Sequence, residues 1–285
     1  MNPAHVEPTG PPRVTALILS RNCAPQLQRC LQALENSEQR SSLEILVVDN
    51  GSEDRSAEIP LQFPEVQTLR LPKDFGKTKA TNIGLRTAKG DFIFFLPPHV
   101  EVAPDTVSKL ADRLAFTDSV GAVCPQIPRW HRFPDAIALD AACRSGELPG
   151  AQGMPGEAAE IAIEYAPDAP LMTRRLFLRG MNYLDERYGD FWSDLELAWQ
   201  LRNAGKTILV LPQVRVTYAT APGRDNDSVH MSDCILGAAG YLGKHFGAGA
   251  AMKFRFSAAT SALLRGKFGL FSSLLSGQKV DGTHV

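Results

Sequence analysis

The sequence has no uninterrupted apolar run of 18 or more residues, so it predicts no membrane-spanning helix. Its first twelve residues, MNPAHVEPTGPP, are Pro-rich and polar and lack an apolar stretch, which reads as a flexible tail over 1–12 and not as a signal peptide. The five cysteines, at 23, 30, 124, 143 and 234, show no paired short spacing. With an odd count in a chain of 285 residues, reduced thiols in a cytoplasmic protein are expected rather than a disulfide framework. Net charge is only −1, which supplies no overall field to attract nucleic acid. No internal repeat is present. What remains, 44% hydrophobic and 21% charged, is the composition of an ordinary globular protein with room for one large domain or two small ones.

Short apolar runs alternate with amphipathic segments over the first hundred residues. VTALILS (14–20), LEILVVD (43–49), VQTLRL (66–71) and DFIFFL (91–96) read as buried strands. Between the first two, Leu27, Cys30, Leu31 and Leu34 recur at helical spacing behind Pro25. KTKATNIGLRTA (77–88) reads as a helix ended by Gly90. This alternation predicts an α/β fold, a mostly parallel sheet built from right-handed crossovers and flanked by helices. GAVCPQ (121–126) continues it. Residues 129–170, rich in Gly, Pro and Ala, carry no clear period. Order returns with APLMTRRLF, a helix from about Asp194 to Asn203 stopped by Gly205, and the strands TILVLP and VRVTY. Residues 226–275 read as helical.

Four motifs follow one another in order: ILSRN at the end of strand one, VVDNGSEDRS at the end of strand two, FGKTKATNIGLRTAKGDFIFFL, and YLDERYGDFWSDLELAWQLRNAGKTILVLPQVRVTY. The series resembles the family 2 inverting glycosyltransferases of GT-A fold, in particular their bacterial rhamnosyltransferase-like branch, over roughly residues 13 to 220. The resemblance implies a nucleotide-binding GT-A domain over 13–222, followed by a C-terminal helical extension over 223–285.

It also implies a nucleotide-sugar site built from Ser20, Asn22, Asp49, Gly51, Ser52, Lys77, Asn82 and His99. Asp49, at a strand end, can accept the N3–H of uracil or thymine, and Asn50-Gly51 permits the tight turn that brings backbone close to a base. The same DNGS stretch reads equally as an Asx turn capping the next helix. Asn82 reads either as a group ordering the donor site or as a helix-surface amide. Lys73, Lys77, Lys79 and Arg86 around it are solvated charge or diphosphate partners. SDLELAW matches the segment whose aspartate is the general base, which falls on Asp194; an acid at a helix N-terminus is also what the helix dipole favours. Asp185, Glu186 and Trp192 match the acceptor-side loop.

Three positions depart from the family pattern. The slot that usually ends in an aspartate on Mg2+ or Mn2+ reads Pro97-Pro98-His99 here, the distal histidine is Tyr218, and the glutamate before the base is Ser193. Hard divalent cations prefer oxygen. His99 is therefore a substitute metal ligand, alone or with Glu101, a hydrogen-bond partner of the diphosphate with lysines in place of the metal, or a bystander. The leading expectation is transfer of a sugar from a UDP or dTDP donor, with inversion, to a glycan or lipid-linked acceptor in bacterial surface polysaccharide synthesis. The competing one is a non-catalytic relative that binds nucleotide or glycan and supports a partner. A nucleotidyltransferase is disfavoured because SRNCAP, after strand one, has no glycine. Residues 252–275 interleave phenylalanines and leucines with Lys253, Arg255, Arg265 and Lys267, the pattern of a helix lying on the inner face of a membrane or of a homodimer contact.

Overall fold

The structure, a computed structural model, describes residues 13–145, 147–153, 160–220, 228–277, 279–280 and 282. The tail expected over 1–12 and the expected boundary at 222–223 lie outside the described residues.

In chain order the elements are β1 (Val14–Ser20), α1 (Ala24–Glu35), β2 (Leu43–Asp49), β3 (Val66–Arg70), α2 (Lys77–Thr87), β4 (Phe92–Phe95), β5 (Val100–Val102), α3 (Thr106–Phe116) and β6 (Val120–Cys124). There follow β7 (Arg129–Trp130), α4 (Ala136–Ser145), β8 (Gln152–Gly153), β9 (Ile161–Ile163), β10 (Leu171–Arg174), α5 (Arg175–Gly180), α6 (Ser193–Asn203), β11 (Thr207–Val210) and β12 (Val216–Tyr218). Three helices complete the chain: α7 (Ser228–Phe246), α8 (Ala248–Leu264) and α9 (Phe268–Ser276). Short 3-10 turns span Arg55–Gln62 and Glu186–Tyr188.

The main sheet has eight strands in the order β3-β2-β1-β4-β10-β6-β11-β9. β3, β2, β1 and β4 are mutually parallel, as the strand–helix alternation predicts, and so are β6 and β11. β10 is wedged antiparallel between β4 and β6, and β9 runs antiparallel along β11. Both faces are covered. α1, with Leu27, Cys30, Leu31 and Leu34 all buried, closes one face together with α3. The other face holds α2, α6 and the C-terminal helices in one apolar cluster. Every residue of β2 is buried, which is why it reads as an unbroken apolar run and not as an alternation. The cysteines are all buried and none is in a disulfide.

The C-terminal ends of β1, β2 and β4 open at one edge. β10 enters there from the opposite direction, its Leu171 paired with Phe95. The chain just before β10 is thereby set beside the Pro97-Pro98-His99 turn. A small antiparallel pair, β5 with β12, backs that turn, and the Ala219 amide donates to the His99 carbonyl at 2.8 Å. Ligands of open α/β sheets gather at this kind of edge.

Candidate active site

The first part of the site is the loop cluster after β1 and β2. The Asn50 amide donates to the Ser20 carbonyl at 2.8 Å, which joins the two strand ends. Asp49 is 1% exposed. Its Oδ2 accepts the Ser52 amide at 3.4 Å, an Asx turn, while its Oδ1 is buried and has no hydrogen-bond partner among the described residues. The cap of the following 3-10 turn is Asp54, which accepts the Ser56 amide at 2.9 Å. Gly51 has φ +69, and a Cβ there would overlap the Lys73 backbone, so only glycine fits. Asn22, also at positive φ, accepts the Glu53 amide at 2.8 Å, and its own amide donates to Ser52 Oγ at 3.1 Å. Asn50 bridges to the next loop: Nδ2 donates to Asp74 at 2.6 Å and Oδ1 accepts the Phe75 amide at 2.9 Å. Ser20, Asn22, Asp49, Gly51 and Ser52 therefore meet in one knot of hydrogen bonds, with one carboxylate oxygen of Asp49 left open.

The second part is a charged cluster where α2, α6, the β9–β10 loop and the turn after β4 converge. Lys77, the first residue of α2, donates its Nζ to Asp168 Oδ1 at 2.5 Å, and its backbone amide donates to Asp190 at 2.7 Å. The Asp168 amide donates to Asp194 Oδ2 at 3.1 Å, and the Leu195 amide donates to Asp194 Oδ1 at 2.8 Å. Asp194 thus sits at the N-terminus of α6, where the helix dipole favours a carboxylate, with each oxygen holding a backbone hydrogen bond. Burial alone would lower the pKa of Lys77; Asp168, Asp194 and Asp190 outweigh it and hold the ammonium above its ordinary range. Burial lowers the pKa of His99, Asp168 pulls it up in part, and Lys77 pushes it down again, so the ring is neutral at pH 7. His99 Nδ1 is buried with no partner among the described residues. The ring lies 6.4 Å from that of Tyr218.

The Pro97-Pro98-His99 turn does not itself fit a divalent cation. Among the described residues no group of three or more His, Cys, Asp or Glu side chains is placed to hold a metal. Glu101, the expected second ligand beside His99, pairs instead with Arg29 of α1 at 2.9 Å. Asp168, the carboxylate whose field His99 feels, is engaged by Lys77. Hard cations need several oxygens, and the turn offers one imidazole nitrogen.

The third part is the loop from Leu184 to Trp192. Asn82 of α2 is buried, and its amide holds this loop: Nδ2 donates to the Leu184 carbonyl at 2.8 Å and to Glu186 at 3.0 Å, and Oδ1 accepts the Leu184 amide at 3.0 Å. It is not a surface amide. Asp185 pairs with Arg187 and Lys244. Burial would raise its pKa, but the Arg187 hydrogen bonds, with Lys244, hold it down at about 2. Trp192, at positive φ, donates its indole N–H to the Cys234 carbonyl of α7 at 2.9 Å.

Two groups escaped the sequence reading. Asp168 lies in the Gly-, Pro- and Ala-rich stretch that has no period. Glu196, two residues after Asp194, is 2% exposed and bonds to Tyr188 (2.8 Å), Gln200 (2.6 Å), Lys244 (2.6 Å) and His245 (2.7 Å). Burial would raise its pKa; these hydrogen bonds reverse the shift and lower it. A carboxylate at a helix position facing inward was the available signal for Glu196; nothing comparable marked Asp168.

Residues 15–136 match the family model described as Glycosyl transferase family 2. The chain is similar to an N-acetylglucosaminyltransferase of Sinorhizobium fredii (strain NBRC 101917 / NGR234), 31% identical over 128 residues, which is 43% of this chain and 31% of that protein. It is also similar to one of Bradyrhizobium elkanii, 28% identical over 41% of this chain and 66% of that protein. An undecaprenyl-phosphate 4-deoxy-4-formamido-L-arabinose transferase of Pseudomonas aeruginosa (strain LESB58) is 30% identical over 36% of this chain and 33% of that protein. The chain thus spans about a third of the length of the first of these relatives. Among solved structures, the crystal structure of GalNAc-T7 with UDP, GalNAc and Mn2+ superposes with a TM-score of 0.60 at 14% identity, covering 80% of this chain and 47% of that one. The fold is GT-A-like, with a central mostly parallel sheet flanked by helices and followed by C-terminal helices.

Proposed function

We propose that this protein is a family 2 glycosyltransferase that moves a sugar, with inversion, from a UDP or dTDP donor to a hydroxyl of a glycan or lipid-linked acceptor. The observation that carries this reading is the open, buried Oδ1 of Asp49 on the same sheet edge as Asp194. A buried carboxylate oxygen without a donor is costly, and the N3–H of uracil or thymine is a donor of the right kind. Asp194 takes the proton of the acceptor hydroxyl as its oxygen attacks the anomeric carbon. The bond from that carbon to the diphosphate oxygen breaks on the opposite face, and the nucleoside diphosphate leaves with its electron pair. Lys77 and the N–H of a neutral His99 meet the charge that develops on it, in the place where the family pattern implies a metal. The relatives named N-acetylglucosaminyltransferase and undecaprenyl-phosphate 4-deoxy-4-formamido-L-arabinose transferase support N-acetylglucosamine as the first sugar to try and undecaprenyl phosphate as the first lipid acceptor. The rhamnosyltransferase-like branch rests on the series of four motifs, the last of which, YLDERYGDFWSDLELAWQLRNAGKTILVLPQVRVTY, lies outside the matched 15–136.

Calorimetric titration with UDP and dTDP, each with and without Mn2+, tests this. Nucleotide binding that changes less than about tenfold with Mn2+, roughly 1.4 kcal/mol of coupling, is expected. Absence of binding to either nucleotide overturns the reading. Nucleotide binding without turnover on any donor favours the second reading, a non-catalytic relative, for which the altered Pro97-Pro98-His99 turn and the occupied oxygens of Asp194 speak.

The same reading includes a peripheral contact with the inner face of a membrane through α8 and α9. No described helix is long and apolar enough to cross one. From Cys234 to Val280 there is no Asp or Glu. Leu263, Leu264, Arg265, Gly266, Lys267 and Phe268 are exposed in succession at the α8–α9 corner. Phe254 of the expected stripe points inward instead and is 7% exposed, because α8 packs on α7.

A further inference from the structure

Lys77 is the cation of the charged cluster that a diphosphate needs, and it is already paired. Its ammonium contacts Asp168 Oδ1 at 2.5 Å, with side chains 39% and 55% exposed. Asp190 and Asp194 add two further carboxylates to the field at Lys77. The ligand-free cluster therefore sets one ammonium and a neutral imidazole against three carboxylates. An arriving diphosphate meets net repulsion unless Lys77 changes partner.

Asp168 is held in place with unusual firmness for a loop residue. Its backbone has φ +51, in the left-handed region that a non-glycine side chain enters at a cost, although Asp and Asn tolerate it best. Pro167 and Pro170 flank it, and its amide is fixed to Asp194 Oδ2. Strained backbone of this kind persists where the surroundings over-determine it, and it collects at functional sites. The antiparallel entry of β10 beside β4 brings it to the Pro97-Pro98-His99 turn.

We infer that Asp168 is a positioning residue on the donor side: its carboxylate is a built-in counter-anion that Lys77 exchanges for the diphosphate of the nucleotide, so it sets how tightly that diphosphate binds. This rests on the nucleotide-sugar reading above. The residue touches both functional groups of the cluster. It holds Lys77 through its side chain and Asp194 through its main chain, so exchange at the carboxylate leaves the base anchored. A lysine kept paired in the empty site also stays extended toward the cleft and charged, ready for the exchange.

Substitution of Asp168 by Asn separates this from a merely structural role. Asn tolerates positive φ and keeps the amide that Asp194 needs, while the negative charge is lost. The expected result for Asp168→Asn is UDP and dTDP binding tighter than wild type by about fivefold, the order of one half-exposed ion pair, with the affinity for uridine and thymidine unchanged. The gain shrinks as salt is raised, because the competing charges are screened. Unchanged or weaker diphosphate binding in an Asp168→Asn protein that melts like wild type overturns the inference. An equal change for nucleoside and nucleoside diphosphate overturns it too. If the variant melts lower, Asp168→Gly, which also suits positive φ, is measured in its place under the same two criteria. Wild-type protein that binds UDP and dTDP but fails these criteria loses only this inference; wild-type protein that binds neither nucleotide loses the nucleotide-sugar reading as well.

Discussion

Asn82 and Leu184 clasp each other in both directions: the Asn82 side chain donates to the Leu184 carbonyl at 2.8 Å and accepts the Leu184 amide at 3.0 Å. One buried side chain on α2 thereby fixes the start of the loop that runs to α6, the helix that carries Asp194. Asn82→Ala leaves a buried N–H and a buried C=O without partners, each costing about 1–3 kcal/mol. Denaturant unfolding should show a loss in that range or above. Acceptor affinity should fall more than nucleoside affinity, since the loop, not the base pocket, loses its anchor. Wild-type stability in Asn82→Ala would contradict the clasp.

Asp194→Asn should retain fold and nucleotide affinity and lose most turnover. The amide is nearly isosteric, but it cannot take the acceptor proton, and loss of a general base costs about 10²–10⁴-fold. His99→Ala, assayed beside it, should weaken UDP or dTDP binding, since the diphosphate would lose a donor. Sugar transfer measured in both variants decides: full turnover in Asp194→Asn would remove it as the base, and unchanged donor affinity in His99→Ala would make the histidine a bystander.

Asp185 supplies a pH dependence of stability with a definite sign. In an unfolded chain its pKa is 3.8, and in the folded protein it is about 2, because the Arg187 hydrogen bonds and Lys244 outweigh the opposing effect of burial. The folded state binds fewer protons between those values, so the stabilisation is complete above about pH 4 and is lost as the pH falls toward 2. Asp185→Asn should lower stability by about 2 kcal/mol at neutral pH. Thermal melts should show the gap between variant and wild type closing as the pH falls through that window. A gap that stays constant down to pH 2 would mean the pair contributes through packing alone.

The exposed corner Leu263–Phe268 should bind vesicles. Wild-type protein should co-sediment with vesicles containing anionic lipid more than with neutral ones, because exposed Leu and Phe lie beside Arg265 and Lys267. Leu264→Glu combined with Phe268→Glu should abolish it, without loss of stability, since both side chains already face solvent. Absence of co-sedimentation would leave the corner as a contact between copies of the chain.

The strand ends were legible from the sequence because the chemistry there is local. Asp49 closes its turn with Ser52, only three residues away, and Gly51 is required by a backbone angle that the sequence announces as Asn-Gly. The four parallel strands were legible because buried strands are short apolar runs. Asp168 was not legible. Its place depends on β10 running antiparallel against β4, a pairing between segments far apart in sequence, and it follows β9, only three residues long, too short to show a period. The altered Pro97-Pro98-His99 turn was visible and Lys77 was among the expected nucleotide-sugar residues, but nothing in the sequence set Asp168 opposite it. The outward phenylalanine stripe was overdrawn for a similar reason: composition cannot say that α8 turns Phe254 toward α7.

Glu196 carries a consequence for how the chain comes into being. The carboxylate lies in the same helix as Asp194, yet two of its partners, Lys244 and His245, follow it by 48 and 49 residues. As the polypeptide leaves the ribosome, the parallel strands that carry Asp49 are complete long before those partners are synthesised, and domains fold as their pieces emerge. Until α7 arrives, α6 holds a charge meant for burial without the Lys244 and His245 side chains that neutralise it. The half that carries Asp49 can therefore be assembled while the half that carries Asp194 is still open, and the last helices act as the fastening that closes the nascent chain.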